Sequence, residues 1–315
     1  MAEENKMQTV KYSSPPSTLP MLGKVDPAQI SFIGRTNYSS IVEEKKFIFG
    51  IRRADRRHHL YVIGKSGVGK SKLLELLMRQ DIANGKGLCF IDSYGEVIEE
   101  ILNFIPENRI EDVRLIDASY LEGEASLNFL ANLDLEKFIN DNKIILINLA
   151  KNKISEESLK LFGSTLISKL KQVGIERAKM LEISRQDFYV YIDEFQNLAS
   201  EDFTSLISEA RKYGLALTLT HQYFGQLSPR FQSAVLGNVG TMIVFRVGGE
   251  DAKILESELA PIFKIKDMVN LGTQEFYIKL MIDGEVYDPF SAETLKVLSV
   301  NHPSCKNKIF DLRRI

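Results

Sequence analysis

The sequence predicts an α/β fold in which a mostly parallel sheet is covered by helices on both faces and followed by a C-terminal β-hairpin. From Ile30 onward, short apolar runs alternate with segments of helical periodicity, a pattern typical of such a sheet. Several runs are apolar throughout, as expected for strands that are buried on both faces. Near the C-terminal end, Asp283-Gly284 stands between two β-like runs, which indicates a tight hairpin turn.

These patterns place individual elements along the chain. The predicted strands are HLYVIG, GLCFID, DVRLID, KIILINL, DFYVYID, LALTLTHQ and TMIVFRV. The predicted helices include KSKLLELLMRQDIA, SEESLKLFGSTLISKLKQV and EDFTSLISEARKYG, the last of which is expected to stop at Gly214. Residues 1–28 are polar and rich in proline and serine, so we expect a disordered N-terminal arm before one domain over residues 29–300, with a tail over residues 301–315.

Composition limits the functional classes. The chain has 315 residues, of which 44% are hydrophobic, enough for one continuous core. A net charge of -2 excludes a generally basic surface, so nucleic acid would need a local patch or an assembly. Cys89 and Cys305 lie far apart without His or Cys at ligand spacing, which argues against disulfides and zinc. No run reaches the eighteen or so apolar residues of a membrane span, and we expect a cytoplasmic protein, peripheral at most to a membrane complex.

A phosphate-binding loop is predicted between the strand HLYVI and the helix that follows it. The residues GKSGVGKS fit the pattern G-x-x-x-x-G-K-[ST]. The glycines allow the backbone N–H groups to point inward, and the helix N-terminus adds positive potential. Lys70 is predicted to reach the β- and γ-phosphates of ATP, and Ser71 to bind Mg²⁺. The predicted nucleotide-binding residues are Gly64, Lys65, Ser66, Gly67, Val68, Gly69, Lys70, Ser71 and Lys72.

Two adjacent carboxylates end another apolar strand, FYVYIDEFQN. A carboxylate beside a buried strand needs a partner or a function, because burying it unpaired is costly. A phosphate-loop protein needs acidic residues at a neighbouring strand end, where open α/β sheets bind their ligands. We therefore expect Asp193 to bind Mg²⁺ and Glu194 to activate the attacking water.

Three further polar residues are candidates for the reaction. Gln222 follows the next strand and is predicted to hold the attacking water or sense the γ-phosphate, whereas His221 is predicted to be structural. Arg211 and Arg246 are candidates for an arginine that stabilises transition-state charge across a subunit boundary, although surface ion pairs are the more common role of such residues.

The segment RRADRRHH, residues 52–59, is the densest basic stretch. Contact with DNA phosphates is one interpretation, and a solvated surface is the more usual one.

With these motifs placed, the chain resembles the FtsK/HerA superfamily of DNA-pumping ATPases, closest to the TraD/TraG-like coupling proteins of type IV secretion. The matching stretches are FGIRRADRRHHLYVIGKSGVGKSKLLE, GLCFIDSYGE, IILINLAK, FYVYIDEFQNLAS, ISEARKYGLALTLTHQYFGQL and GNVGTMIVFRVGGEDAKILE. The resemblance implies a RecA-like motor domain that assembles as a ring, usually a hexamer, with ATP between subunits and DNA in the channel. It supports the roles given above and makes Arg211 the preferred arginine finger, with Arg246 second.

The chain departs from that family in two features. Coupling proteins usually begin with transmembrane helices, and the sequence predicts none here. Related chains also commonly carry a large helical insertion, whereas here SLNFLANLDLEKFINDNK leads directly to IILINL.

The ordered set of motifs favours a Mg-ATP-dependent DNA translocase that works with conjugation or secretion proteins. The alternative is an ATPase that assembles or remodels proteins without DNA. A degenerate nucleotide-binding scaffold and a small-molecule kinase fit the residues less well.

Overall fold

The computed structural model of the protein describes residues 10–38, 46–120 and 124–298. Within them, eleven strands form one sheet in the order β2-β1-β13-β10-β9-β3-β8-β7-β4-β6-β5, and β11 and β12 form a separate hairpin. The strands are β1 (Ile30–Thr36), β2 (Ile48–Arg52), β3 (Leu60–Ile63), β4 (Leu88–Asp92), β5 (Val113–Asp117), β6 (Ile144–Asn148), β7 (Phe188–Ile192), β8 (Leu215–His221), β9 (Thr241–Val244), β10 (Glu275–Lys279), β11 (Met281–Ile282), β12 (Glu285–Val286) and β13 (Phe290–Thr294).

The strands from β3 to β9 pair with one another in parallel, whereas β10, β13, β1 and β2 pair antiparallel, and β10 joins the two parts through β9. All the predicted strands lie in the parallel part, which confirms the predicted fold class. Their residues are almost all buried because helices cover both faces. The predicted C-terminal hairpin is also confirmed, and both of its turn residues, Asp283 and Gly284, have positive φ.

The helices lie in two layers on the sheet. They are α1 (Lys70–Ala83), α2 (Glu96–Phe104), α3 (Glu124–Asn132), α4 (Leu135–Asn140), α5 (Glu156–Ala178), α6 (Glu201–Glu209), α7 (Pro229–Asn238), α8 (Gly249–Leu259) and α9 (Ile265–Val269). Helices α1 and α2 share one hydrophobic core, and α3 to α8 contribute to the core of the opposite face. Ser155, Ser200 and Ser228 cap α5, α6 and α7 by accepting a backbone N–H. After α6, a 3-10 turn continues to Gly214, where the predicted stop lies at a positive φ.

The predicted N-terminal arm is wrong for the part that the structure describes. Residues 10–28 lie against the domain instead of being disordered. Leu19 is buried, Met21 forms a bridge to Phe49, and Tyr277 donates a hydrogen bond to the Lys11 carbonyl at 2.9 Å. These apolar and polar contacts together hold the segment along the sheet. Residues 1–9 and the tail from 301 to 315 lie outside the described part of the chain.

The basic stretch 52–59 is largely engaged inside the protein. Arg53 and Arg56 are buried and pair with Asp81 of α1 at 2.9 and 2.7 Å. Asp81 is fully buried, and it also accepts a hydrogen bond from the Tyr191 hydroxyl of β7. These four residues form a buried ion cluster that joins the connection between β2 and β3 to α1 and β7. Arg52 and Arg57 pair with Asp283 and Asp187 near the surface, so neither interpretation of this stretch describes its buried arginines.

Cys89 is buried in β4 and free, and burial raises the pKa of its thiol to about 12. In the described ranges, no helix is long and apolar enough to cross a membrane.

Candidate active site

The predicted phosphate loop connects β3 to α1 and is held by the strands on both sides. The Gly64 N–H donates to the His221 carbonyl of β8 at 3.4 Å, and the Lys65 N–H donates to the Arg246 carbonyl after β9 at 2.9 Å. Gly67 and Gly69 have φ values of 76° and 123°, which side chains with a Cβ rarely adopt. Helix α1 begins at Lys70, directly after this turn. The loop therefore points the N-terminus of a 14-residue helix at the cavity above it.

Lys70 lies across the loop in this structure. Its Nζ donates to the carbonyls of Gly64 at 2.6 Å and Lys65 at 3.1 Å. Burial lowers the pKa of this ammonium group, while Glu194 and Asp193 oppose the shift. A buried cation held by neutral carbonyls gains from an arriving anion, so Lys70 is placed to bind phosphate oxygens.

Asp193 follows β7 at the same edge of the sheet. The Thr220 hydroxyl of β8 donates to its Oδ1, and the Ser93 hydroxyl donates to its backbone carbonyl at 3.1 Å. The pKa of Asp193 is raised to about 6, mainly by burial, with smaller contributions from the charges of Glu194 and Asp92. The hydrogen bond from Thr220 and the charge of Lys70 act in the opposite direction. A divalent cation would offset the cost of this buried carboxylate.

Glu194 has a left-handed backbone conformation, with φ 54° and ψ 51°. Such a conformation is unfavourable for a residue with a Cβ, and residues in it cluster at functional sites. Its carboxylate accepts hydrogen bonds from the side-chain amides of Gln222 at 2.8 Å and Gln196 at 2.5 Å. Its N–H donates to the Thr220 hydroxyl at 3.4 Å. Thr220 therefore contacts both carboxyl residues and fixes one relative to the other.

One cavity of about 880 Å³ joins these residues. Its lining includes Ser66, Gly67, Gly69, Lys70, Ser71, Lys72, Asp193, Glu194 and Gln222 of the sequence-predicted set. Gly64, Lys65 and Val68 support the loop from behind, and Lys65 borders a smaller neighbouring cavity. The structure thus brings together the predicted phosphate-binding and acidic residues, which lie more than 100 positions apart in the chain.

The residues at the cavity fit a Mg²⁺-nucleotide site better than a metal site made of protein alone. Among the described residues, no group of three or more His, Cys, Asp or Glu side chains is arranged to hold a metal ion. Mg²⁺ bound to a nucleotide needs only one or two protein oxygens, because phosphate oxygens and waters complete its shell. The Ser71 hydroxyl and the Asp193 carboxylate, which line the same cavity, supply that minimum.

The two candidate arginines lie at opposite edges of the sheet. Arg246 follows β9, and its carbonyl accepts from Lys65 beside the phosphate loop. Arg211 is exposed and lies four residues before β8 begins, so it lies at the amino edge of the parallel strands. His58, which lies just before β3, has a pKa lowered by burial and, to a smaller extent, by the charge of Arg211. A strand of seven residues separates this edge from the loop by roughly 20 Å, so Arg211 cannot reach the nucleotide site of its own chain.

His221 is structural, as its position predicts. Its Nδ1 is hydrogen-bonded to the Tyr61 hydroxyl at 3.0 Å, and it packs against Phe195 and Phe224 beneath the loop. The pKa of His221 is lowered to about 3, mainly by burial and to a smaller extent by the charge of nearby Lys70. The ring is therefore neutral and acts as packing under the phosphate loop.

Sequence patterns do not predict several of the residues that form the site. Gln196 and Thr220 bind the acidic pair, and Thr220 lies within a strand whose pattern indicates only burial. Tyr94 and Glu96, whose role the sequence leaves open, line the cavity beside Asp92, which caps α2 by accepting the N–H groups of Val97 and Ile98. The last group of lining residues is Thr273, Gln274, Thr294, Leu295, Lys296, Val297 and Leu298.

Comparison with known proteins supports the resemblance that the motifs indicate. A family model described as the TraM recognition site of TraD and TraG matches residues 187–259, from β7 to α8. A sequence comparison with curated proteins gives no significant match.

Solved structures share the fold at low sequence identity. The unbound conjugative coupling protein TrwBdeltaN70 is 12% identical with a TM-score of 0.61, over 81% of this chain and 89% of that one. The plasmid coupling protein TrwB in complex with ADP and Mg²⁺ is 13% identical, with a TM-score of 0.58 over 82% and 90% of the two chains. VirB4 of Thermoanaerobacter pseudethanolicus is 11% identical, with a TM-score of 0.59 over 84% and 96%. The RecA-like fold is thereby confirmed, and the match over residues 187–259 supports the resemblance to TraD and TraG.

Proposed function

We propose that this chain is a P-loop ATPase that hydrolyses Mg-ATP to move or load DNA in a conjugation-type transfer system. The observation that carries the proposal is the shared cavity of Lys70 and Ser71 on one side and Asp193 and Glu194 on the other. TrwB, with which the chain shares its fold, is a coupling protein that has been observed with ADP and Mg²⁺.

The residues divide the work of hydrolysis between them. The N–H groups of the loop and the Lys70 ammonium bind the phosphates, and Lys70 leaves its two carbonyl partners to do so. Mg²⁺, held by Ser71 and Asp193, would neutralise charge that develops on the phosphate oxygens. Glu194 accepts a proton from the attacking water, and Gln222 holds the carboxylate in place by its 2.8 Å hydrogen bond.

Arg211 completes the site in this proposal from a neighbouring copy of the chain. It lies at the edge of the sheet opposite its own phosphate loop, whereas the backbone of Arg246 adjoins that loop. An exposed arginine at that edge is free to stabilise transition-state charge in an adjacent subunit. The proposed assembly is a ring, and a hexamer is the number that the resemblance implies.

The first experiment is steady-state ATP hydrolysis with and without single- and double-stranded DNA. The matched variants are Lys70→Ala, which removes the phosphate contact, and Lys160→Ala, which removes an exposed lysine of α5. DNA-stimulated hydrolysis that disappears only in Lys70→Ala supports the proposal. A wild-type protein that binds no nucleotide would overturn it.

A second candidate function is the remodelling of a protein partner without DNA. Two observations favour it: the densest basic stretch is engaged in internal ion pairs, and the matching family model is described by recognition of a protein, TraM. The same assay separates the two functions. Hydrolysis that is indifferent to both forms of DNA, together with no salt-dependent DNA binding, favours the remodelling function.

A further inference from the structure

The cavity has two ends of different chemistry. Asp92, Asp193, Glu194 and Gln222 form one end, which is acidic. The other end is formed by Thr273, Gln274 and the segment 294–298, here called the base strap. In the sheet, β3 and its loop lie between β10 and β13 on one side and β8, β7 and β4 on the other. A nucleotide whose phosphates are bound by the loop can therefore extend towards the segment 294–298.

The base strap is fixed to the phosphate loop at its first residue. The Thr294 N–H donates to the Gln274 carbonyl at 2.9 Å, and the Gln274 N–H donates to the Val68 carbonyl at 3.0 Å. A Cβ placed on Gly69 would lie 3.8 Å from the Thr294 methyl group. The strap therefore begins beside the turn of the phosphate loop and is joined to that loop through Gln274.

Arg79 of α1 holds the other end of the strap. It donates a hydrogen bond to the Leu298 carbonyl at 2.6 Å. The guanidinium group is nearly buried, pairs with buried Glu75, and lies 5.0 Å above the ring of Phe104. Because these contacts fix its orientation, Arg79 can position a backbone segment 219 residues away in the chain.

The lining of the strap suits a nucleoside better than a phosphate. Leu295 and Val297 are half-buried and present apolar surface to the cavity, and Thr294 adds a hydroxyl group. Lys296 is exposed and adds positive charge at the rim. Planar bases pack well on apolar side chains, whereas the γ-phosphate has to lie near Mg²⁺ and Glu194 at the acidic end.

We propose that the base strap binds the base and ribose of the nucleoside triphosphate, and that Arg79 is the positioning residue that holds the strap over α1. This inference rests on the proposed nucleotide-binding function. The strap contributes affinity for the nucleoside, whereas the loop and Lys70 contribute affinity for the phosphates.

The test compares the binding of ATP with that of inorganic tripolyphosphate, both with Mg²⁺, by calorimetry on the full chain. The strap variant is Leu295→Ser with Val297→Ser, and a second variant, Arg79→Lys, keeps the charge beside Glu75 but loses the fork geometry. The matched control is Leu181→Ser with Ile183→Ser, two residues that are 75% and 96% exposed outside the cavity. Thermal unfolding confirms that each variant is folded.

We expect the strap variant to bind ATP about tenfold more weakly, since two apolar contacts are lost, and to bind tripolyphosphate as the wild type does. Arg79→Lys should change the two affinities in the same selective way, and the control should change neither. ATP binding that is unchanged in both folded variants, or an equal loss for both ligands, would overturn the inference. A wild type that binds neither ligand would instead overturn the nucleotide-binding function on which the inference rests.

Discussion

The side-chain amide of Gln222 donates to the carboxylate of Glu194 at 2.8 Å, across the carboxyl ends of two neighbouring parallel strands. Gln196 donates to the other carboxylate oxygen. Glu194 is thus held from both sides in a backbone conformation that costs energy. The proposed general base and Gln222, the residue proposed to hold it in place, are one hydrogen-bonded unit, so their substitutions should not have independent effects.

Glu194→Gln should lower kcat about 100-fold or more because it removes the proton acceptor. Gln222→Ala should lower kcat by a smaller factor, because it removes only a support of that acceptor. The double variant should be no slower than Glu194→Gln alone, since Gln222 acts through Glu194. Steady-state kinetics of the three variants check this, with Glu201→Gln as an exposed control. If the two reductions in kcat multiply in the double variant, Gln222 does not act through Glu194.

The affinity for Mg²⁺-nucleotide should rise as the pH increases through about 6, the pKa of buried Asp193. In the unfolded chain an aspartate ionises near ~4. Between these two pH values, Asp193 of the ligand-free folded protein holds a proton that the unfolded chain has released. This difference stabilises the folded protein fully below about pH 4, and the stabilisation is lost as the pH rises through about 6. Mg²⁺ needs the ionised form of the carboxylate, so protonation and metal binding compete.

The measurement for this prediction is ADP binding with and without Mg²⁺ between about pH 5 and about pH 8. The part of the affinity that depends on Mg²⁺ should show the transition, and Asp193→Asn should lack it. An identical transition in Asp193→Asn would assign the titration to another group.

Arg211→Ala should lose most of its hydrolysis activity but keep nucleotide binding, because we propose that the arginine acts on a neighbouring subunit. Mixing Arg211→Ala with inactive Lys70→Ala should restore part of the activity. In the mixed assembly, a Lys70→Ala subunit supplies its arginine to an intact phosphate loop next to it. Arg246, whose backbone adjoins its own loop, provides the contrast, because Arg246→Ala should not be rescued in such a mixture. If mixing with Lys70→Ala restores no activity to Arg211→Ala, Arg211 does not act on a neighbouring subunit.

Asp81→Asn should destabilise the protein by about 3–5 kcal/mol, since it leaves Arg53 and Arg56 buried without a counter-charge. Urea denaturation measures the difference in the free energy of unfolding. Asp202→Asn is the control, because this carboxylate pairs with Lys171 at the surface and should cost less than about 1 kcal/mol. Equal losses in the two variants would mean that the buried cluster adds nothing beyond a surface pair.

Local patterns predict the parallel strands and the phosphate loop because both depend on neighbouring residues. Apolar runs, the glycines of the loop and the Asp283-Gly284 turn carry their signals within a few positions. The functional role of Asp193 and Glu194 can also be predicted, since two carboxylates at the end of a buried strand are costly without a partner or a ligand.

The other features depend on contacts that no short stretch encodes. Arg56 looks like part of a basic surface until Asp81, 25 residues away, and Tyr191 surround it. The base strap follows the hairpin and meets Arg79 only because β13 lies next to β10 in the sheet. Residues 10–28 look too polar to pack, yet an existing sheet edge supplies the partner that they lack.

The buried cluster around Asp81 has a consequence for the order of folding events. Its contacts close chain segments of 25 and 110 residues, so they cannot form before α1, β7 and the connection between β2 and β3 have come together. Closing such long loops costs chain entropy before the contacts form, so we expect the contacts of this cluster to be absent from the transition state for folding. A variant without Asp81 should then refold at the normal rate but unfold faster, so the cluster controls how long the native state lasts.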